Sequence, residues 1–106
     1  MHSHDHVSEV DIATLTRPYD AELIDVREPD EFVAGHVPGA RLLPMSEITT
    51  RLDELDRDRP LYVICAVGQR SLAVADFLVR SGFEAYSVAG GTYAWVRAGQ
   101  PVETGR

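Results

Sequence analysis

Apolar positions along this chain fall into short runs separated by stretches with helical spacing. Glu22-Leu23-Ile24-Asp25-Val26, Leu61-Tyr62-Val63-Ile64 and Ala85-Tyr86-Ser87-Val88 are too short for stable helices, and each predicts a strand. Ala40-Arg41-Leu42-Leu43, after the turn His36-Val37-Pro38-Gly39, predicts a further short strand. Between them lie helix-like segments. Glu28 to Ala34 predicts a short helix with Pro29 in its first turn, where the missing N–H is tolerated, and Gly35 ends it. Ser46 to Leu55 predicts a second helix, with Ile48, Leu52 and Leu55 at helical spacing, followed by the polar turn Asp56-Arg57-Asp58-Arg59-Pro60. A third helix runs from about Arg70 to Ser81. Leu72, Ala75 and Val79 share its apolar face, Ala73, Phe77 and Leu78 broaden that face, Asp76 and Arg80 sit four apart on the solvent side, and Gly82 caps the end. Gly90-Gly91 then turns into a last short helix containing Trp95. Strands alternating with helices imply an α/β domain: a small, mainly parallel twisted sheet with helices on both faces.

The domain is expected to span residues 7–98, with residues 1–6 a flexible tail and 99–106 a second tail in which Val102 to Arg106 frays. At 106 residues the chain has room for one core. Its apolar (44%) and charged (25%) fractions are those of an ordinary globular protein. No apolar run reaches the roughly 18–20 residues that span a bilayer. The start Met1-His2-Ser3-His4-Asp5-His6 lacks the basic and apolar regions of a secretory signal, so a cytoplasmic location is expected. A formal net charge of −7 and the lack of a basic patch argue against nucleic acid as a partner. All 10 cationic residues are arginines, which excludes lysine nucleophiles and Schiff-base chemistry.

One residue stands out chemically. Cys65 is the single cysteine of the chain, and it ends the strand Leu61 to Ile64 just before a turn and a helix. A lone cysteine is often a small buried filler. Here, however, the turn that follows points backbone N–H groups toward the sulfur, and these favour thiolate over thiol. Gly68 supplies backbone freedom three residues on, and Arg70 supplies a fixed positive charge. The carboxyl end of a strand is also where α/β sheets bind ligands. With no second cysteine, any covalent adduct on Cys65 must be discharged by an outside molecule.

Three separated motifs then resemble one family. Asp25-Val26-Arg27-Glu28-Pro29-Asp30-Glu31-Phe32-Val33-Ala34-Gly35-His36-Val37-Pro38-Gly39-Ala40 resembles the rhodanese signature that precedes the active site. Cys65-Ala66-Val67-Gly68-Gln69-Arg70-Ser71 resembles the family's catalytic loop, and Gly90-Gly91 with Trp95 its C-terminal end. The resemblance covers roughly residues 7–98 and implies a single rhodanese domain. It implies sulfur transfer: Cys65 takes the outer sulfur of a donor such as thiosulfate or a persulfide, and a thiol or cyanide accepts it. No cofactor or metal is implied. Ala66, Val67, Gly68, Gln69, Arg70 and Ser71 would form the substrate-binding loop, with Arg70 anchoring the donor, while Asp25 and Arg27 would support the loop by hydrogen bonds.

Two rivals remain. One is a low-turnover binding or sensing domain built on the same loop. The other is a cysteine phosphatase, whose broader signature places five residues between cysteine and arginine. Only four separate Cys65 from Arg70 here, a cradle sized for a sulfur anion, and no aspartate general acid is evident. The apolar Ala66 and Val67 stand where several sulfurtransferases carry polar or basic groups, which weakens the case for the thiosulfate dianion. Glu31 and His36 are expected to contact each other, and Trp95 to pack its helix on the sheet. The alternating His2, His4 and His6 suggest only adventitious metal binding.

Overall fold

The computed structural model describes residues 7–105. Five strands form one sheet: β1 (Ser8–Val10), β2 (Glu22–Asp25), β3 (Arg41–Leu42), β4 (Leu61–Ile64) and β5 (Ala85–Val88). Their order is β1-β5-β4-β2-β3, and every pairing is parallel. Three α-helices connect them: α1 (Pro29–Ala34), α2 (Gln69–Arg80) and α3 (Gly91–Arg97). No helix among the described residues is long and apolar enough to cross a membrane.

Alternation along the strands splits the core in two. Leu61 and Val63 of β4, Ile24 of β2 and Ala85 of β5 point to one face, where they pack with Val74, Ala75 and Leu78 of α2 and with Phe83. Leu23, Ile64 and Val88 point to the other, against Trp95 of α3 and Leu15. Trp95 thus packs α3 on the sheet as expected, and its indole N–H donates to the Pro101 carbonyl at 2.7 Å. This parity also aims the catalytic candidate. Cys65 follows Ile64, so its side chain falls on the α2 face with Leu61 and Val63.

Several local expectations are corrected. Ser46 to Leu55 is not one α-helix but two 3-10 segments, Met45–Thr50 and Leu52–Glu54, interrupted at Arg51. The periodicity located the buried Ile48 and Leu55 but not the helix type. The β-branched pair Thr49-Thr50 disfavours α-helix, and the Thr50 hydroxyl instead bonds the Glu47 carbonyl at 3.1 Å. The buried face of α2 is Ser71, Val74, Ala75, Asp76 and Leu78, whereas Leu72 is half-buried and Ala73 exposed. Asp76 therefore sits on the buried side, its carboxylate 3.0 Å from the exposed Arg80 guanidinium. The β1 strand and the 3-10 turn Ile12–Thr16 have no counterpart in the sequence reading. β1 is a three-residue edge strand with two exposed positions, so it carries almost no apolar signal. Within the expected C-terminal tail, Glu103 pairs with His36 through two backbone bonds of 2.9 Å, and Gly105 N–H reaches the Val33 carbonyl. His2, His4 and His6 lie outside the described residues.

The rotation of α2 is testable by urea unfolding. Leu78→Ala, at a fully buried position, should cost about 2–5 kcal/mol. Leu72→Ala, half-buried, should cost roughly 1 kcal/mol or less. Equal costs would mean the helix presents a different face.

Candidate active site

The polypeptide leaves β4 at Ile64 and enters α2 at Gln69, so residues 65–68 form a single tight loop. Its shape requires Gly68, which has φ +107 and serves as the α2 N-cap. Gly68 has no side chain to cap the helix, and the Cys65 sulfur takes that place. Gly68 N–H donates to Sγ at 3.1 Å and Ser71 N–H, in the first turn, at 3.2 Å. The Ser71 hydroxyl lies 3.4 Å from Sγ and 2.8 Å from the hydroxyl of Ser87 on β5. As a thiol, Cys65 donates to Ser71 Oγ, which can donate in turn to the Gly68 carbonyl at 3.2 Å. As a thiolate, it can accept a hydrogen bond from the Ser71 hydroxyl once that hydroxyl rotates, with Ser87 left to donate to Ser71 Oγ.

Cys65 is 1% exposed. Burial is the largest single influence on the thiol and opposes its ionisation. The Ser71 hydroxyl and the amides of Ser71, Gly68 and Val67 together outweigh it, so the Cys65 pKa is lowered from the ordinary thiol value. The sulfur meets both the partial positive charge of a helix N-terminus and a set of fixed donors.

A second helix holds the same loop from behind. The first-turn amides of α3 have no intrahelical acceptors, and two of them bond the loop: Thr92 N–H to the Cys65 carbonyl and Tyr93 N–H to the Ala66 carbonyl, both at 2.9 Å. This close approach depends on Gly91. A Cβ there would lie 2.6 Å from the Ala66 carbonyl oxygen and closer still to that of Cys65, and its φ is +60. The Gly90-Gly91 pair therefore acts directly on the cysteine loop.

The remaining predicted residues fall as follows. Ala66 is half-buried, Gln69 is exposed at the start of α2, and Val67 is 58% exposed. Tyr93, whose amide holds Ala66, is 57% exposed, so apolar surface flanks the loop. Arg70 is not a free cation. Its guanidinium makes a bidentate pair with Glu31, both contacts at 2.9 Å. The Arg70 hydrogen bonds lower the Glu31 pKa to about 2, and Glu31 raises that of Arg70. Glu31 also closes a capping box on α1 by accepting from Glu28 N–H at 2.9 Å. Among the described residues no hydrogen bond or ion pair joins it to His36. That ring stacks on Phe32 at 3.6 Å, with Nδ1 2.7 Å from the Phe32 carbonyl.

Asp25 and Arg27 are buried and bind each other, Arg27 Nη2 to Asp25 Oδ2 at 2.9 Å. Arg27 also bonds the Gly35 carbonyl at 2.8 Å. They brace the turn after α1, and neither hydrogen-bonds to residues 65–71 among the described contacts. The sequence reading missed Ser87, whose signal was a hydroxyl on the α2-facing parity of an otherwise apolar strand. It also missed the role of α3's backbone, which no side chain reports. Among the described residues no group of three His, Cys, Asp or Glu side chains is placed to hold a metal.

Known proteins share this fold. Residues 11–98 match the family described as the rhodanese-like domain. The chain belongs to the rhodanese-like family. It is 43% identical over 76 residues to the uncharacterized protein YqhL of Bacillus subtilis (strain 168), an alignment covering 71% of this chain and 60% of that one. The crystal structure of a rhodanese-related protein from Thermoplasma volcanium superposes with a TM-score of 0.86 at 34% identity, over 91% of this chain and 97% of that one. A thiosulfate sulfurtransferase from Pseudomonas aeruginosa gives 0.84 at 28% identity, over 98% of this rhodanese-like chain but 21% of its own.

The loop geometry is open to two substitutions, both read by iodoacetamide alkylation of Cys65 across pH. Reactivity should rise with pH around a midpoint below the ordinary thiol value, because the folded loop stabilises the thiolate. Ser71→Ala removes one donor and should move the midpoint upward. Gly91→Ala should raise the midpoint, slow alkylation and cost about 1–3 kcal/mol of stability, by forcing α3 off the loop carbonyls. An unchanged profile in both would mean that neither contact tunes the thiol.

Proposed function

We propose that this rhodanese-like domain transfers sulfane sulfur through a persulfide on Cys65. The observation that carries the reading is the sulfur held at 3.1 and 3.2 Å from the Gly68 and Ser71 amides, with its pKa lowered by the Ser71 hydroxyl and by the loop amides. Membership of the family and the fold shared with a thiosulfate sulfurtransferase support it.

In the first step the Cys65 thiolate attacks the outer sulfur of a donor. A new S–S bond forms on Cys65 as the donor's own S–S bond breaks, and the electron pair leaves on the donor: as sulfite from thiosulfate, or as a thiolate from an organic persulfide. In the second step an acceptor thiolate or cyanide attacks the outer sulfur of the persulfide, and Cys65 leaves as thiolate. The loop amides favour the anion at the start and end of this cycle, and the partial positive charge of the α2 N-terminus favours a persulfide anion between them. No general base is needed where the resting sulfur is already ionised. Because the chain has 1 cysteine, the acceptor must come from outside it. A reducing compartment such as the cytoplasm suits a thiol that must stay free.

Phosphate-ester hydrolysis is less well supported. The loop has four residues between Cys65 and Arg70, and the arginine that would clamp a phosphate is bound to Glu31. Intact mass spectrometry decides the main reading. Incubation with thiosulfate or glutathione persulfide should add the mass of one sulfur atom, cyanide should remove it as thiocyanate, and Cys65→Ser should abolish the gain. No adduct from any donor would sink the proposal and favour a binding or sensing domain.

A further inference from the structure

Resting on sulfur transfer at Cys65, we propose that Glu31, by holding Arg70, sets the donor preference of this site toward sulfane sulfur carried on an organic or protein thiol and against the free thiosulfate dianion. Glu31 is a positioning residue: it acts through Arg70 and not on the sulfur. The pair joins α1 to the first turn of α2 across the sheet edge, with each side chain about a third exposed.

The charge balance of the two donor reactions differs. Thiosulfate meeting the Cys65 thiolate brings three negative charges together, and the products, a persulfide anion and sulfite, still carry three. An organic persulfide reacts through its protonated form R–S–SH, which brings no charge of its own to the reacting sulfurs: the new bond forms on Cys65 with the outer sulfur keeping its proton, and R–S⁻ departs to be protonated by solvent. The first reaction needs an uncompensated cation at the mouth, and the second does not.

Both arginines of this corner are already paired. Arg27 is buried against Asp25, and both nitrogens of the Arg70 fork are on Glu31. Arg70 stands in the first turn of α2, directly before Ser71, whose amide donates to the Cys65 sulfur, so a guanidinium released from Glu31 would stay at the helix end that holds the sulfur. The loop itself offers Ala66 and the exposed Val67, with the exposed Tyr93 alongside. These suit the carbon skeleton of a thiol carrier better than an oxyanion.

The experiment compares kcat and KM for sulfur loading from thiosulfate and from glutathione persulfide. It uses the wild-type chain, Glu31→Gln and the double variant Glu31→Gln/Arg70→Ala. The glutamine amide oxygen can still accept from Glu28 N–H, so the α1 cap survives. Glu31→Ala serves as a second release of Arg70. The wild type should load from the persulfide with the higher kcat/KM. Glu31→Gln should raise the thiosulfate-to-persulfide ratio of kcat/KM about tenfold, mainly through the thiosulfate KM, and the gain should shrink at high salt. The double variant should return the ratio to within about twofold of wild type. A wild-type preference for thiosulfate would overturn the inference, as would a ratio unmoved by both Glu31 variants or a gain that persists without Arg70. Loading from neither donor in the wild type would overturn the sulfur-transfer reading itself, and this inference with it.

Discussion

The structure turns on a four-residue loop held by two helix N-termini. A buried sulfur that is to carry charge must find donors to replace water, and folded backbone offers spare donors chiefly at helix starts. Here α2 sends the amides of Gly68 and Ser71 to the Cys65 sulfur, while α3 sends those of Thr92 and Tyr93 to the carbonyls of Cys65 and Ala66. The orphan donors of two helices are thus satisfied by one loop, and the loop is fixed in the shape that stabilises a thiolate. The glycines at 68 and 91 follow from this, since each occupies positive φ and Gly91 leaves no space for a Cβ against the loop.

The rest of the domain serves that junction. Parallel strands place β4 in the middle of the sheet, between β5 and β2, with Val63 paired to Ser87 and Ile64 to Asp25, so Cys65 emerges where β4 leaves both neighbours. The apolar layer of Val74, Ala75 and Leu78 seats α2 over β4 and β5, and Trp95 seats α3 on the opposite face. The two helices can reach the loop from different sides only because the sheet is covered on both. Charge is handled pairwise around it, Asp25 with Arg27 and Glu31 with Arg70, so the sulfur's environment is set more by amide dipoles than by net charge.

Much of this was legible in the chain. Short apolar runs separated by helical spacing specified a parallel α/β sheet, because each strand must bury both faces. Cys65 and its loop were legible from a strand that ends on a thiol followed by a glycine. Other features carried no such mark. The edge strand Ser8–Val10 lacks an apolar pattern, and Met45–Glu54 has helical spacing yet forms 3-10 turns. Leu72 and Asp76 exchanged places relative to their expected faces, because the rotation of α2 is decided by which residues fit the sheet and not by polarity alone. The pairing of Glu103 with the His36 backbone likewise has no mark in the sequence, since it joins segments far apart in the chain.

What the sequence by itself determined is local: where most strands and helices fall, which residue is the candidate nucleophile, how many residues its loop can span, and that this chain holds no second cysteine. Tertiary structure decided the partners. Thirty-nine positions separate Glu31 from Arg70 and sixteen separate Ser71 from Ser87, and no spacing rule links them. The amides of Thr92 and Tyr93 leave no trace in the sequence, since every residue except proline has one. Hydrogen bonds and ion pairs act over about 3 Å, so the chemistry of Cys65 depends on which distant segments the sheet and its two helix layers bring within that range.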